Sequence, residues 1–272
     1  MTIGGRLRRW ATVPSLLGLL TLATGCGGAG PAPSPRPGAS LRIAAASDLL
    51  IVLPKLIEAF EATRDVDVAP SFGASGNLAE QIRRGAPFDV FLSADMAFVQ
   101  GLGDEGVIEP DTIAAYARGS LVLIVHPAAA DAVDELADLT KPEVGKVAIA
   151  NPQFAPYGRA AREALERSNL WRTLEPKIVI GESARQALVY EERGDVEAAL
   201  VGRSLVIADQ DGRGDKLIEV DPTLHAPLIQ GLGIIAESQA PDQARAFVDF
   251  VLGDEGRRIL GEAGFKPPDP VE

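Results

Sequence analysis

The 272-residue chain has one cysteine, two histidines and an aromatic content of only 5%. A single thiol excludes a disulfide within the monomer, and so few soft or imidazole ligands leave no basis for a transition-metal cation site. Basic residues are also in the minority: 26 Lys and Arg stand against 38 Asp and Glu, a net charge of −12. Nucleic acid is therefore not an expected partner, because phosphate backbones are held by basic patches. Catalytic motifs are missing too. His126, beside Pro127 at a strand end, and His225, in a loop pattern, have no triad context, and "GASGN" lacks the G-x-S-x-G spacing of a nucleophile elbow. "GLGDEG" at 101–106 satisfies G-x-G-x-x-G but follows a helical stretch instead of opening one after a strand, so it reads as a helix end. The expectation is a protein that is not an enzyme, with a hydrolase as the least supported reading.

What is present begins with an export pattern. Arg6, Arg8 and Arg9 precede "WATVPSLLGLLTLATG", an apolar stretch too short and too broken by Pro and Gly to span a membrane, so residues 1–25 read as a signal peptide. The sole cysteine, Cys26, ends "LATGC", which resembles the lipobox of bacterial lipoproteins with Ala23 where leucine is commoner. That resemblance implies a lipid anchor on Cys26; the alternative is a plain signal peptide with an incidental cysteine. Either way the protein is expected outside the cytoplasm, in the periplasm or at the outer face of the cell membrane. Residues 26–40, "CGGAGPAPSPRPGAS", read as the lipidated cysteine and a flexible tether. Loss of residues 1–25 leaves 23 basic against 38 acidic residues, so the exported body is more acidic still.

From residue 41 short apolar runs alternate with longer amphipathic ones, which predicts an α/β fold on mainly parallel sheets. Strands are expected at "LRIAAA", "VDVAPSF", "FDVFLS", "SLVLIV", "KVAIA", "KIVIG", "EAALV" and "LIQGLGIIA", and helices near 49–64, 76–85, 95–103, 158–168, 183–193 and 241–263. Pro54 predicts a kink or a late start in the first helix. No internal sequence repeat is visible. Four strand ends share one chemistry: "RIAAA" runs into Ser47-Asp48, "VAPSF" into Gly73-Ala74-Ser75-Gly76, "VAIA" into Asn151-Pro152 and then Tyr157-Gly158, and "IVIG" into Glu182-Ser183-Ala184. Each offers backbone N–H groups at a helix start, and together they could surround an anion with neutral donors. Any one of them taken alone is an ordinary N-cap.

The blocks "AAASDL" (44–49), "FGASGNLAEQIRRGAPFDVFLSAD" (72–95), "NPQFAPYGRAAREAL" (151–165) and "ESARQAL" (182–188) together resemble the periplasmic molybdate-binding proteins of ABC importers, in order, from about 41 to 265. The resemblance implies a two-lobed type-II periplasmic binding protein fold, each lobe a mainly parallel sheet flanked by helices, with a tetrahedral oxyanion between the lobes. Lobe 1 would be 41–118 plus 231–272 and lobe 2 121–228, with hinge crossings near 119–122 and 228–231. The ligand implied is molybdate or tungstate, with no further cofactor, and no side chain ligates the metal because molybdenum is met only as its oxyanion. The partner implied is an ABC permease in the cytoplasmic membrane, served by a monomer. Receptors of the same fold for sulfate, phosphate or a small organic anion are the alternative.

Residue by residue, the resemblance assigns oxyanion contacts to Ser47, to the Ala74 and Ser75 pair, to Tyr157 through its backbone N–H and to Ala184. The family's tyrosine hydroxyl falls on Gly202, so that donor is missing. Asp48 has two expected roles: a helix cap turned away from the ligand, or a carboxylate that accepts a proton from an anion such as hydrogen phosphate. Arg159 and Arg185, beside two of the junctions, are expected on exposed helix faces, and Tyr190 on a helix face packed on its own lobe.

Overall fold

The structure, a computed structural model, describes residues 40–207 and 214–268. The expected signal peptide, Cys26 and all of the tether but Ser40 lie outside the described residues. Ten strands are described: β1 Ser40–Ala46, β2 Asp67–Gly73, β3 Val90–Ser93, β4 Ala114–Arg118, β5 Leu121–Val125, β6 Val147–Ala150, β7 Ile178–Gly181, β8 Ala198–Gly202, β9 Lys216–Glu219 and β10 Ile229–Ile234. They form two five-stranded sheets, ordered β2-β1-β3-β10-β4 and β7-β6-β8-β5-β9. Helices α1 Leu53–Glu61, α2 Ser75–Arg83, α3 Met96–Asp104, α4 Pro156–Arg167, α5 Trp171–Leu174, α6 Ala184–Glu192, α7 Pro241–Leu252 and α8 Asp254–Glu262 flank them.

The central strands are the short apolar runs that the sequence showed, because a strand covered by helices on both faces must be apolar on both. Val147–Ala150 and Ala198–Val201 are fully buried, and the core of the second sheet gathers on them. The first sheet has a core on each face, one around Leu41, Ile43, Phe60 and Phe247 and one around Phe91, Leu102 and Ile108. Phe60 meets Phe247 edge-on, with ring centroids 5.1 Å apart.

Both sheets are mixed. β1 runs parallel to β2 and β3, and β6 to β7 and β8, but β10 runs antiparallel to β3 and β4, and β5 antiparallel to β8 and β9. The antiparallel members are those where the chain changes sheet: it leaves the first at Gly119-Ser120, between β4 and β5, and returns between β9 and β10. The two passages are tied together where the Gly119 N–H donates to the Leu228 carbonyl over 2.9 Å.

Two strands were not foreseen. β4, "AAYAR", is rich in alanine, a poor strand former, and is held by pairing to β10, while β9, "KLIE", is a four-residue edge. The predicted helix 49–64 starts late, at Leu53, with Pro54 in its first turn, where the missing N–H costs nothing. The predicted helix 241–263 is two helices, since the backbone extends at Gly253 before α8 restarts with Asp254 and Glu255 near its positive end. Residues 101–106 close α3 and the turn after it.

Candidate functional site

The ends of β1, β2, β6 and β7 bring their junctions to one place. Ser47, Asp48, Ala74, Ser75, Tyr157 and Ala184 all line one small cavity, of which about 10 Å³ is open to the centre of a water-sized sphere. That is room for about one water. Most of the lining is buried: Ser75 is 1%, Tyr157 2% and Ala184 3% exposed. No lysine, arginine or histidine takes part in the lining.

The donors are mostly main-chain. α2 begins at Ser75, α6 at Ala184 and α4 at Pro156, so the first free amides of three helices, Tyr157 following a proline that has none, converge with their partial positive charges. Gly76 N–H is already used, donating across to the Phe154 carbonyl at 2.9 Å. The Ser75 hydroxyl accepts the Ala94 N–H at 3.0 Å, which fixes the oxygen and leaves its proton to donate. Ala74 and Ser75 thus both reach the cavity, one as a cap residue and one as a hydroxyl.

Asp48 is not a helix cap. The short turn Ser47–Leu49 has no side-chain cap, and neither does α1. The carboxylate is 1% exposed, and its Oδ2 accepts from Gln230 Nε2 at 2.6 Å, while Oδ1 meets no donor at hydrogen-bond geometry. Burial pushes its pKa up from 3.8 to about 6, against the opposing hydrogen bonds from Gln230 and Tyr157. Gln230 also donates to the Tyr157 hydroxyl (3.2 Å) and accepts from Tyr116 (2.5 Å), and the Ser204 hydroxyl donates to the Asp48 carbonyl (2.8 Å). Burial raises both phenols well above 10.

Gly202 lies behind this network. A Cβ there would come within 2.9 Å of the Tyr157 ring, and one at Gly119 would clash with its hydroxyl, so Tyr157 fills the space that side chains at these positions would take. The space beside Gly202 is thus taken by the Tyr157 ring, whose hydroxyl accepts from Gln230. Sequence reading assigned Tyr157 only a backbone role and missed Gln230, Tyr116 and Ser204. The signal for Gln230 was present: it is the one polar residue in the apolar run "LIQGLGIIA".

Other groups are occupied elsewhere. Arg159 pairs with Asp95, which caps α3, and Arg185 with Glu192 at 2.6 Å. Tyr190 packs on the second-sheet core. His126 Nδ1 accepts the Ala128 N–H at 3.3 Å, and His225 Nδ1 lies 2.7 Å from the Ala226 carbonyl. A larger cavity of about 680 Å³ adjoins the sheet-changing passages, but it is lined by mixed charge, Arg118, Arg203 and Lys266 with Glu219 and Asp221, and by none of the predicted donors. Among the described residues no cluster of His, Cys, Asp or Glu is placed to hold a metal ion, and no helix is long and apolar enough to cross a membrane.

Two mixed sheets of one wiring, with helix starts meeting over a small cavity that no cationic side chain lines, define a two-lobed periplasmic-type solute receptor. The chain belongs to the bacterial extracellular solute-binding protein family, whose model matches residues 41–266. It is 35% identical to the molybdate-binding protein ModA of Rhodobacter capsulatus over 73% of this chain and 77% of that protein. It is 27% identical to the putative ABC transporter substrate-binding lipoprotein YvgL of Bacillus subtilis, over 83% of this chain and 86% of the relative. Among solved structures, the periplasmic molybdate-binding protein of Azotobacter vinelandii superposes with a TM-score of 0.80 at 27% identity, covering 84% of this chain and 100% of that one.

Proposed function

We propose that this protein captures molybdate, and tungstate alongside it, between its two lobes and delivers it to the permease of an ABC importer in the cytoplasmic membrane. The observation that carries the reading is the convergence of Ser47, Ala74, Ser75, Tyr157 and Ala184 on one small cavity that no cationic side chain lines. A dianion held this way is stabilised by preorganised dipoles, and cavity size with donor count then selects among tetrahedral anions. The resemblance to molybdate-binding relatives supplies the ligand class.

A four-oxygen anion is larger than the space that one water fills, so loading requires the lobes to part and close again. The passages at Gly119-Ser120 and between β9 and β10 serve as the hinge, with lobe 1 from 41–118 plus the chain after the return, and lobe 2 between. Export on the N-terminal signal and a lipid on Cys26 hold the monomer at the membrane, a reading that the lipoprotein name of the Bacillus subtilis relative supports.

Calorimetric titration of the protein with molybdate, tungstate, sulfate and phosphate tests this. One-to-one binding of the first two, well above sulfate, is the expected result. The buried Asp48 carboxylate favours a second reading, a phosphate receptor whose ligand brings its own proton. Preference for phosphate would establish it and remove molybdate.

A further inference from the structure

The oxyanion reading leaves one buried group without a task. Asp48 lines the cavity, and an ionised carboxylate there would face a dianion with no cation between them. Its own surroundings do not relieve this. The titratable groups facing it are Tyr116 from β4 and Tyr157 from α4, both neutral across the physiological range, and the remaining contacts, Gln230 from β10 and Ser204 after β8, carry no charge. Gln230 orients the carboxyl by donating to Oδ2, which leaves Oδ1 as the oxygen free to hold a proton.

We propose that the receptor binds its dianion together with one proton, carried on Asp48 Oδ1, and that the neutral carboxyl then donates this O–H to an anion oxygen. Asp48 thus becomes a specificity-determining donor of the same site, an inference that rests on the oxyanion reading above. The bookkeeping is simple: carboxylate, dianion and one solvent proton go in, and a neutral acid hydrogen-bonded to the dianion results. With a pKa of about 6 in the empty site, Asp48 is mainly ionised at neutral pH, so binding must draw a proton from solvent. Below pH 6 the carboxyl is already protonated and affinity is level; above it, affinity falls about tenfold per pH unit, the slope of one linked proton. Anions that arrive with their own proton, such as hydrogen phosphate, escape this dependence.

The test is calorimetry of the full protein with sodium molybdate at pH 7.5 in several buffers of different ionisation enthalpy, repeated at pH 5.5. The slope of heat against buffer enthalpy is expected to report close to one proton taken up at the higher pH and little at the lower. Asp48→Asn should abolish the uptake and bind at pH 8 at least ~10-fold more tightly than the parent, with no decline from pH 6 to pH 8. Infrared difference spectra of the unmodified protein supply a second readout that needs no variant: a protonated-carboxyl band should appear when molybdate is added at pH 7.5. Binding with no proton uptake and no new band overturns this inference alone, as does an uptake undiminished in Asp48→Asn. Absence of binding by heat and by thermal shift, for molybdate, tungstate and sulfate alike, instead removes the oxyanion reading itself.

Discussion

The two sheets are wired alike but furnish the cavity differently. Position by position, β2-β1-β3-β10-β4 corresponds to β7-β6-β8-β5-β9, with the same parallel trio and the same antiparallel strand beside it. The end of β1 delivers Ser47 and Asp48 where the equivalent end of β6 leads to Tyr157; β2 delivers Ala74 and Ser75 where β7 leads to Ala184. The first sheet therefore contributes hydroxyls and a carboxyl beside the α2 amides, and the second contributes amides and one phenol. Topology alone fixes where donors stand, and the residues at each strand end decide which of them substitution can remove.

The largest effect should follow from deleting donors on both sides. Ser47→Ala and Ser75→Ala each remove a hydroxyl, and a hydrogen bond to a charged group is worth about 1.5–3 kcal/mol. Roughly tenfold to a hundredfold in molybdate affinity is expected for each, and the two together about 3–6 kcal/mol if they act independently. Ser75→Ala should also lower the melting temperature, because the Ala94 N–H loses its acceptor. The second sheet needs a different tool, since no side-chain change removes an amide. Ala184→Pro does so at the first position of α6, where proline is tolerated and Ser183 is already extended. Its affinity should fall by about 1.5–3 kcal/mol with the helix retained by circular dichroism. Unchanged affinity in Ala184→Pro would confine binding to the first sheet.

Asp48 has no counterpart across the cavity, and its cost shows in stability. Its pKa rises from 3.8 to about 6 on folding, so the folded state binds the proton more tightly. The contribution is fully present below pH 3.8, is lost as pH rises to about 6, and stays lost above, a penalty of roughly 3 kcal/mol at neutral pH. Asp48→Asn should therefore raise stability in denaturant titration at pH 7 by roughly 1–3 kcal/mol, and the gain should vanish near pH 4. A gain that is equal at both values would place the effect in packing.

Gly202 tests the other side. Gly202→Ala pushes a methyl into the Tyr157 ring, and overpacking of this kind costs about 1–3 kcal/mol. In a Tyr157→Ala background the cost should shrink by ~1 kcal/mol or more, a coupling that a double-mutant cycle measures. Additive costs would mean that the two positions do not share this space.

Much of this was legible in the chain because burial writes strands and helices as apolar runs. Eight strand patterns, six helical ones and all four junctions could be read, since a strand end followed by Ser, Asn or Gly and an amphipathic run has a local cause. What was not legible depends on distance in sequence. β4 and β9 lack strong propensity and exist through their partners. Gln230 reaches Asp48 across 182 positions, and no local pattern predicts that. The cap expected of Asp48 was a reasonable local answer that this long-range partner overrode. Tyr157 shows the same limit: its amide was readable from the junction, but its ring finds a place only because Gly119 and Gly202, far away in the chain, leave one.

The smallest expected effect lies at the rim, where the two halves meet by charge. Arg159 at the start of α4 pairs with Asp95 at the start of α3, and both remain partly exposed. Such pairs contribute about 0–1 kcal/mol, because solvent screens them and two long side chains must be ordered. Arg159→Ala is therefore expected to weaken molybdate affinity less than ~5-fold, chiefly through faster release. The difference should vanish near ~1 M salt, where the screening length falls to about 3 Å. A serine in the cavity should behave in the opposite way, since a buried donor is barely screened. The ratio of affinities at low and high salt thus separates groups at the rim from groups that hold the anion. If Arg159→Ala keeps its full effect at high salt, Arg159 belongs to the site and not to the rim.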